Sequence, residues 1–263
     1  MMMPISYPFN IPTQGNKKLE HIIDKIVKDV KLNTFWKCAN VMAIDRMGYN
    51  DHGPAHVKIV ANIALKLLRM LVANGVIPSI VKDYKMKNED AEVVVVLGSI
   101  FHDIGMVVMR ESHELFSVLI AKEFVEKYLQ GIYTEGEGAI ILSEVLHAIV
   151  THEEPHKPLT VEAGIVRIAD ALDMEKGRAR IPFQAGRFDI HSVSALAIEK
   201  VTILAGVENP IIIKITMSNS AGIFQIDDLL KPRIHNSGLK EYFHVVAEIT
   251  GENESKILDK FEF

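Results

Sequence analysis

Residues Val93–Ile100 form a nearly unbroken apolar run, and that run leads straight into His102-Asp103 in the stretch VVVVLGSIFHDIG. With its polar start at Asn88 the segment reads as one helix, Asn88–His102, apolar all round in its second half and therefore buried. Gly105 stands where such a helix would end. Any fold built around this helix has to accept a carboxylate at its end. Burying an aspartate is costly unless it is paired or bound to a metal. Adjacent helical residues diverge by about 100°, yet a cation at the helix end can meet both side chains. The dipeptide alone leaves a second reading open, a helix-ending His-Asp in contact with water.

The rest of the chain predicts more helices around this one. Residues 1–15, with Pro4, Pro8, Pro12 and Gly15, read as an extended arm that packs on a neighbour. Leu19, Ile22, Ile23, Ile26, Val27 and Val30 recur at helical spacing, giving one or two helices between Lys17 and Met47. Gly48–Gly53 is a turn. Pro54 suits a first helical position and opens a long helix to Asn74. Gly75–Lys87 reads as a loop, Glu111–Gln130 as an amphipathic helix, and Thr134–Glu137 as a capping box opening a helix to about His152. Thr160 can cap a helix through Lys176, with Gly177 as its stop. After Pro182 the pattern changes. Ile198–Leu204, Ile211–Met217 and Tyr242–Ile249 read as strands, with Ile223–Leu230 as a short helix between the last two. The expected fold class is mainly α, an all-helical domain over residues 1–186 followed by a small α+β domain over 187–263.

Composition excludes several functions. A net charge of −5, from 29 basic and 34 acidic residues, lacks the basic excess of a general nucleic-acid binder. Cys38 is the only cysteine, so neither an intrachain disulfide nor a cysteine-rich zinc site is available, and any metal must be held by His, Asp and Glu. MMMPISYPFNIP lacks the basic-then-apolar order of a signal peptide, and no apolar run approaches a membrane span. The expectation is a cytoplasmic chain with no membrane partner.

Seven of the eleven histidines fall between positions 52 and 156. Neutral imidazoles bind transition metals, and carboxylates complete such sites. In HGPAH, His52 and His56 straddle a helix start and can enter one cleft; alone, the pair also suits an exposed His52 and a packed His56. Asp170, in VRIADALD, sits among Ile165, Ile168, Ala169 and Leu172 and asks for a partner, either a metal or a salt bridge to Arg167 or Lys176. Asp173, one turn on, can share the face or support a ligand.

Taken together, His56, His102-Asp103 and Asp170 follow the H…HD…D order of the HD superfamily. HVKIVANIALKLL resembles its first helix, GSIFHDIG its HD helix and VEAGIVRIADALD its last motif, a resemblance spanning about residues 45–180. It implies an all-helical HD domain that hydrolyses phosphate monoesters or diesters, often of nucleotides, with a divalent transition metal (Mn, Fe, Co, Ni or Zn). His56, His102, Asp103 and Asp170 become ligands of a first ion. His113 and His152 stand where dinuclear members place additional histidines, so we expect two ions joined through Asp103. His147 lies five residues from His152, about 140° round the helix, and the THEE segment matches the family better; His147 is then a packed or supporting residue, and His156 a loop residue near the mouth. HGPAH is similar to the HNxxH start of cyclic-nucleotide phosphodiesterases, which would make His52 the proton donor to the leaving oxygen. HDIGM carries Met106 where the HD-GYP branch has Lys, and no GYP motif follows, which disfavours that branch.

The implied chemistry is attack by metal-activated water, with His52 as general acid and Asp103 at the reacting centre. The expected partner is a small phosphorylated, nucleotide-like substrate. Arg46 and Lys58, flanking the first motif, and Lys176, Arg178 and Arg180, following the last, are candidates for holding phosphate. His191, His235 and His244 lack acidic neighbours in a family-like motif, so the C-terminal region should contribute no metal ligand. It should instead cover the cleft or support a homo-oligomer. Two rivals remain: a non-catalytic regulator sensing metal and nucleotide, and a diiron HD-type oxygenase.

Overall fold

The computed structural model describes residues 9–177, 190–250 and 260–262. The described part of the N-terminal arm packs on its own chain. Phe9 stacks on Trp36 with ring centroids 5.4 Å apart, Ile11 is buried, and the carbonyls of Pro12 and Thr13 accept from Arg69. Two helices follow, α1 (Lys17–Lys28) and α2 (Val30–Asn40). Asp29 divides them: its extended backbone breaks α1, while its carboxylate caps α2 by accepting from the Lys31 and Leu32 amides. A wider turn, Val41–Arg46, prolongs α2.

Helix α3 (Pro54–Ala73) starts on its proline as expected. The predicted 75–87 loop contains a short helix, α4 (Ser79–Tyr84). Its first amides, Ser79 and Ile80, donate to the buried Glu162 carboxylate, both at 3.1 Å. That cap comes from a distant helix and leaves no local signature. α5 (Asn88–Phe101) is the buried helix of the sequence reading; it packs against α3, α7 (Glu135–Val150) and α8 (Val161–Leu172). It ends at Phe101 and is followed by a tight turn, Ile104–Val107, so Gly105 is no helix stop. A Cβ at Gly105 would lie 2.0 Å from the His113 carbonyl oxygen and 2.6 Å from the Ser117 amide. The glycine lets this turn touch the backbone of α6 (His113–Leu129).

The capping box on Thr134 and Glu137 forms at the start of α7. Thr160 caps α8 through the Ala163 amide. α8 stops at Leu172 rather than Lys176, because Asp173 leaves the helical region. After α9 (Ile190–Leu196) comes a four-stranded sheet in the order β1 (Ile198–Ala205), β2 (Ile211–Met217), β3 (Phe243–Ile249), β4 (Lys260–Glu262). β1–β2 and β3–β4 are antiparallel, but β2 and β3 run parallel. Parallel neighbours need a crossover. It is a chain of helical turns, α10 (Gly222–Gln225), a wide turn Ile226–Leu230, and α11 (Lys231–His235), longer than the single helix expected at 223–230.

The architecture is mainly helical with a small C-terminal α+β portion, as the sequence predicts. The apolar core runs continuously from Leu65 and Val93–Leu97 in the helices to Ile211, Ile213 and Ile215 in the sheet. Along α8 the two portions meet backbone to backbone: a Cβ on Gly164 would lie 2.5 Å from the Ser237 carbonyl oxygen. Among the described residues no helix is long and apolar enough to cross a membrane.

Candidate metal centre

Five helix ends converge on one cavity. His52 and His56 come from the start of α3, His102 and Asp103 from the end of α5, and His113 from the first residue of α6. His152 and Glu153 follow α7, and Asp170 and Asp173 close α8. Three of these ends, of α5, α7 and α8, are C-terminal, where unpaired carbonyls present partial negative charge to a cation.

The histidines are oriented by their outer nitrogens. Nδ1 of His52 lies 2.8 Å from the Asn50 carbonyl oxygen, that of His102 2.8 Å from Ser99 and that of His152 2.6 Å from Ile149. His56 Nδ1 lies 2.6 Å from Asp173 Oδ2. Each partner only accepts, so each Nδ1 carries a proton and each Nε2 faces inward. His113 differs. Its Nδ1 has both the Arg110 guanidinium, at 2.7 Å, and the Arg110 carbonyl oxygen, at 3.0 Å, as neighbours.

The inward nitrogens crowd one another. His56 and His102 Nε2 are 3.1 Å apart, and His113 and His152 Nε2 are 3.2 Å apart. Asp103 stands between these two pairs. Its Oδ2 lies 3.3 Å from His56 and 3.1 Å from His102, and its Oδ1 lies 3.0 Å from His113 and 3.7 Å from His152. Asp170 Oδ1 faces the first pair at 3.4 and 3.5 Å. His52 Nε2 is 3.9 Å from Asp103 Oδ2.

Four imidazole nitrogens and the oxygens of two carboxylates turned onto one small volume are the donor types that a divalent transition metal takes, so the donor set fits such an ion. Its electrostatics agree. Burial opposes a charged His102, yet Asp103 and Asp170 outweigh it and lift its pKa to about 9. Burial also opposes ionising Asp103 and Asp170, but the surrounding histidines hold both well below the carboxylate range. Burial, with the charges of His102 and His113, pushes His152 down to about 3. The carboxylates of the cluster favour positive charge beside them, and of its rings His152 is the one held neutral.

The structure thus gathers His52, His56, His102, Asp103, His113, His152 and Asp170. It does not bring Arg46, Lys58 or Lys176 to the cavity: Arg46 contacts Met42 Sδ, and Lys176 pairs with Glu199. Arg178 and Arg180 lie outside the described residues. Arg167, a candidate partner for Asp170, turns away to Glu154 and to the carbonyls of Thr151 and His156. His147 accepts from the Leu159 amide outside the cluster. His235 and His244 join none of the metal-competent groups among the described residues.

Sequence reasoning missed three charged lining residues. Arg110 grips both oxygens of Glu153, at 3.0 and 2.9 Å, and this pair holds Glu153 down to about 2 against the cost of burial. Arg233, from α11, also lines the cavity. Arg110 stands three residues before His113, and Glu153 follows His152, so proximity to a ligand was a usable signal for both. Arg233 carries none.

Comparison with known proteins agrees with this geometry. The HD domain family matches residues 53–175. An uncharacterized protein of Methanocaldococcus jannaschii is 48% identical over 239 residues, covering 91% of this chain and 92% of the relative. No solved structure matches at a significant level. The matched segment holds the donors of the cluster from His56 to Asp170 in the order H…HD…D, and residues 53–175 of the chain form a domain of the HD superfamily.

Proposed function

We propose that the chain hydrolyses a phosphate monoester or diester of a small, nucleotide-like molecule, using two divalent transition-metal ions. One observation carries the two-ion reading: the Asp103 carboxylate directs one oxygen to His56 and His102 and the other to His113 and His152. His56, His102, Asp103 and Asp170 would hold one ion, and Asp103, His113 and His152 the other. Ions bound there supply Lewis acidity toward phosphoryl oxygens and make a bound water acidic enough to act as nucleophile near neutral pH. His52 directs Nε2 into the cavity while its Nδ1 is fixed on Asn50, so a proton held at Nε2 can pass to the departing oxygen. Asp173 and Ser99 fix the rings of His56 and His102, and the Arg110–Glu153 pair braces His113.

The test is metal analysis of protein loaded with Mn, Co or Ni, followed by a phosphate-release screen over nucleotides and phosphodiesters. We expect two equivalents bound and turnover of at least one substrate. Asp103→Ala should abolish turnover and strip metal, and the His113→Ala/His152→Ala double variant should lose about one equivalent. A single equivalent in both wild type and double variant rejects the two-ion site. Nucleotide binding without phosphate release would favour a sensing role, and oxygen uptake by iron-loaded protein an oxygenase.

A further inference from the structure

The two arginines of the cavity are not equivalent. The Arg110 guanidinium is committed to both oxygens of Glu153. Arg233, on α11, leaves only 14% of its side chain exposed. Among the described residues its one hydrogen bond is from Nη1 to the His152 carbonyl. Glu153 Oε1, already engaged, stands 3.6 Å from its Nη2, and Asp170 Oδ2 stands 3.9 Å from its Nη1. A largely dehydrated guanidinium with spare donors calls for an anion. The open volume beside it is the cavity floored by Asp103, His113, His152 and Asp170.

The sign of the cavity sharpens the assignment. Asp103, Asp170, Asp173 and Glu153 take up the positive charge of the two guanidiniums and of the neighbouring histidines, so the metal-free cavity has little left to offer an anion. Two divalent cations would supply it. An anion then drawn onto the ligand cluster arrives where Arg233 already lies, beside Asp170. Guanidinium donors match phosphate oxygens in spacing and plane, which an ammonium cannot reproduce.

We propose that Arg233, contributed by the crossover between β2 and β3, is the phosphate-binding residue of the metal-loaded site. The C-terminal portion then supplies no metal ligand but completes substrate recognition. This inference rests on the phosphohydrolase reading above.

The experiment titrates wild type, Arg233→Ala and Arg233→Lys first with manganese and then, once loaded, with inorganic phosphate, following heat. Circular dichroism confirms that each variant is folded. We expect unchanged manganese stoichiometry and affinity in both variants, at least a tenfold rise in phosphate Kd for Arg233→Ala, and only partial recovery for Arg233→Lys. Wild type stripped of metal should bind no phosphate. Phosphate affinity within twofold of wild type in Arg233→Ala overturns this inference alone. Loss of manganese from that variant also overturns it, by making Arg233 a prop for His152 and Asp170. Loaded wild type that takes up no phosphate overturns both this inference and the reading on which it rests.

Discussion

At Asp103 a single side chain serves two groups of histidines, one with each carboxylate oxygen, which Asn with its one acceptor oxygen would not do. The identities of His56, His102, Asp103 and Asp170 were legible because each sits in a segment whose apolar neighbours leave a polar group unexplained. The supporting contacts were less so. His56–Asp173 joins residues far apart in the chain, and only the one-turn spacing of Asp173 from Asp170 hinted at it. Glu144 on α7 is a different residue-scale problem. It is buried, its Oε2 has no hydrogen-bond partner among the described residues, and burial together with the charges of Glu162 and Asp83 lifts its pKa to about 7. The folded chain therefore holds this proton more tightly than the unfolded chain, whose carboxyl keeps its ordinary value of 4.5. Stability should fall as pH rises from about 4.5 to about 7 and level off above. Glu144→Gln removes that loss. Thermal melts should show the variant several degrees more stable than wild type at pH 8 and nearly equal at pH 5. A difference independent of pH would contradict this assignment.

Elements place these residues with backbone contacts more than with side chains. The turn after α5 rests on the first turn of α6 because Gly105 has no Cβ, and the Gly105 amide donates to Ser117 Oγ at 2.8 Å. This contact sets the distance from Asp103 to His113. The sequence placed the glycine but misassigned its task, because a close approach between elements has no local pattern. Gly105→Ala must push α6 outward, at a cost of about 1–3 kcal/mol from overpacking. Its larger effect should be on manganese binding: the site shared by Asp103, His113 and His152 weakens while the site of His56, His102 and Asp170 stays near wild type. Calorimetry that finds both sites equally weakened, or neither, would refute this division. α4 makes the same point from the other side, since its cap is the Glu162 carboxylate from α8.

At the scale of the whole molecule, helix periodicity and the change of pattern after Pro182 were enough to give a helical body with an α+β end. The parallel pairing of β2 and β3 was not legible, because alternation fixes which face of a strand is buried and says nothing of its neighbour's direction. That pairing is what brings α11 back across the cavity. Since the donors are drawn from five helix ends, metal stabilises only the assembled chain. Saturation at roughly 100 times Kd should add about 2.7 kcal/mol per ion. Chelation with EDTA should then lower Tm by roughly 5–10 °C for each ion removed, read by calorimetric scans with and without chelator. An unchanged Tm would show that no metal had been bound.

The contact between His56 and Asp173 joins the beginning of the donor series to its end, and this orders events during synthesis. A growing chain carries His56 long before Asp173 leaves the ribosome, and until then its Nδ1 lacks this carboxylate. A half-made polypeptide should therefore be a poor scavenger of whatever ion is most abundant, and refolding followed by manganese uptake should show capture only in the last kinetic phase, once α8 has closed the circle.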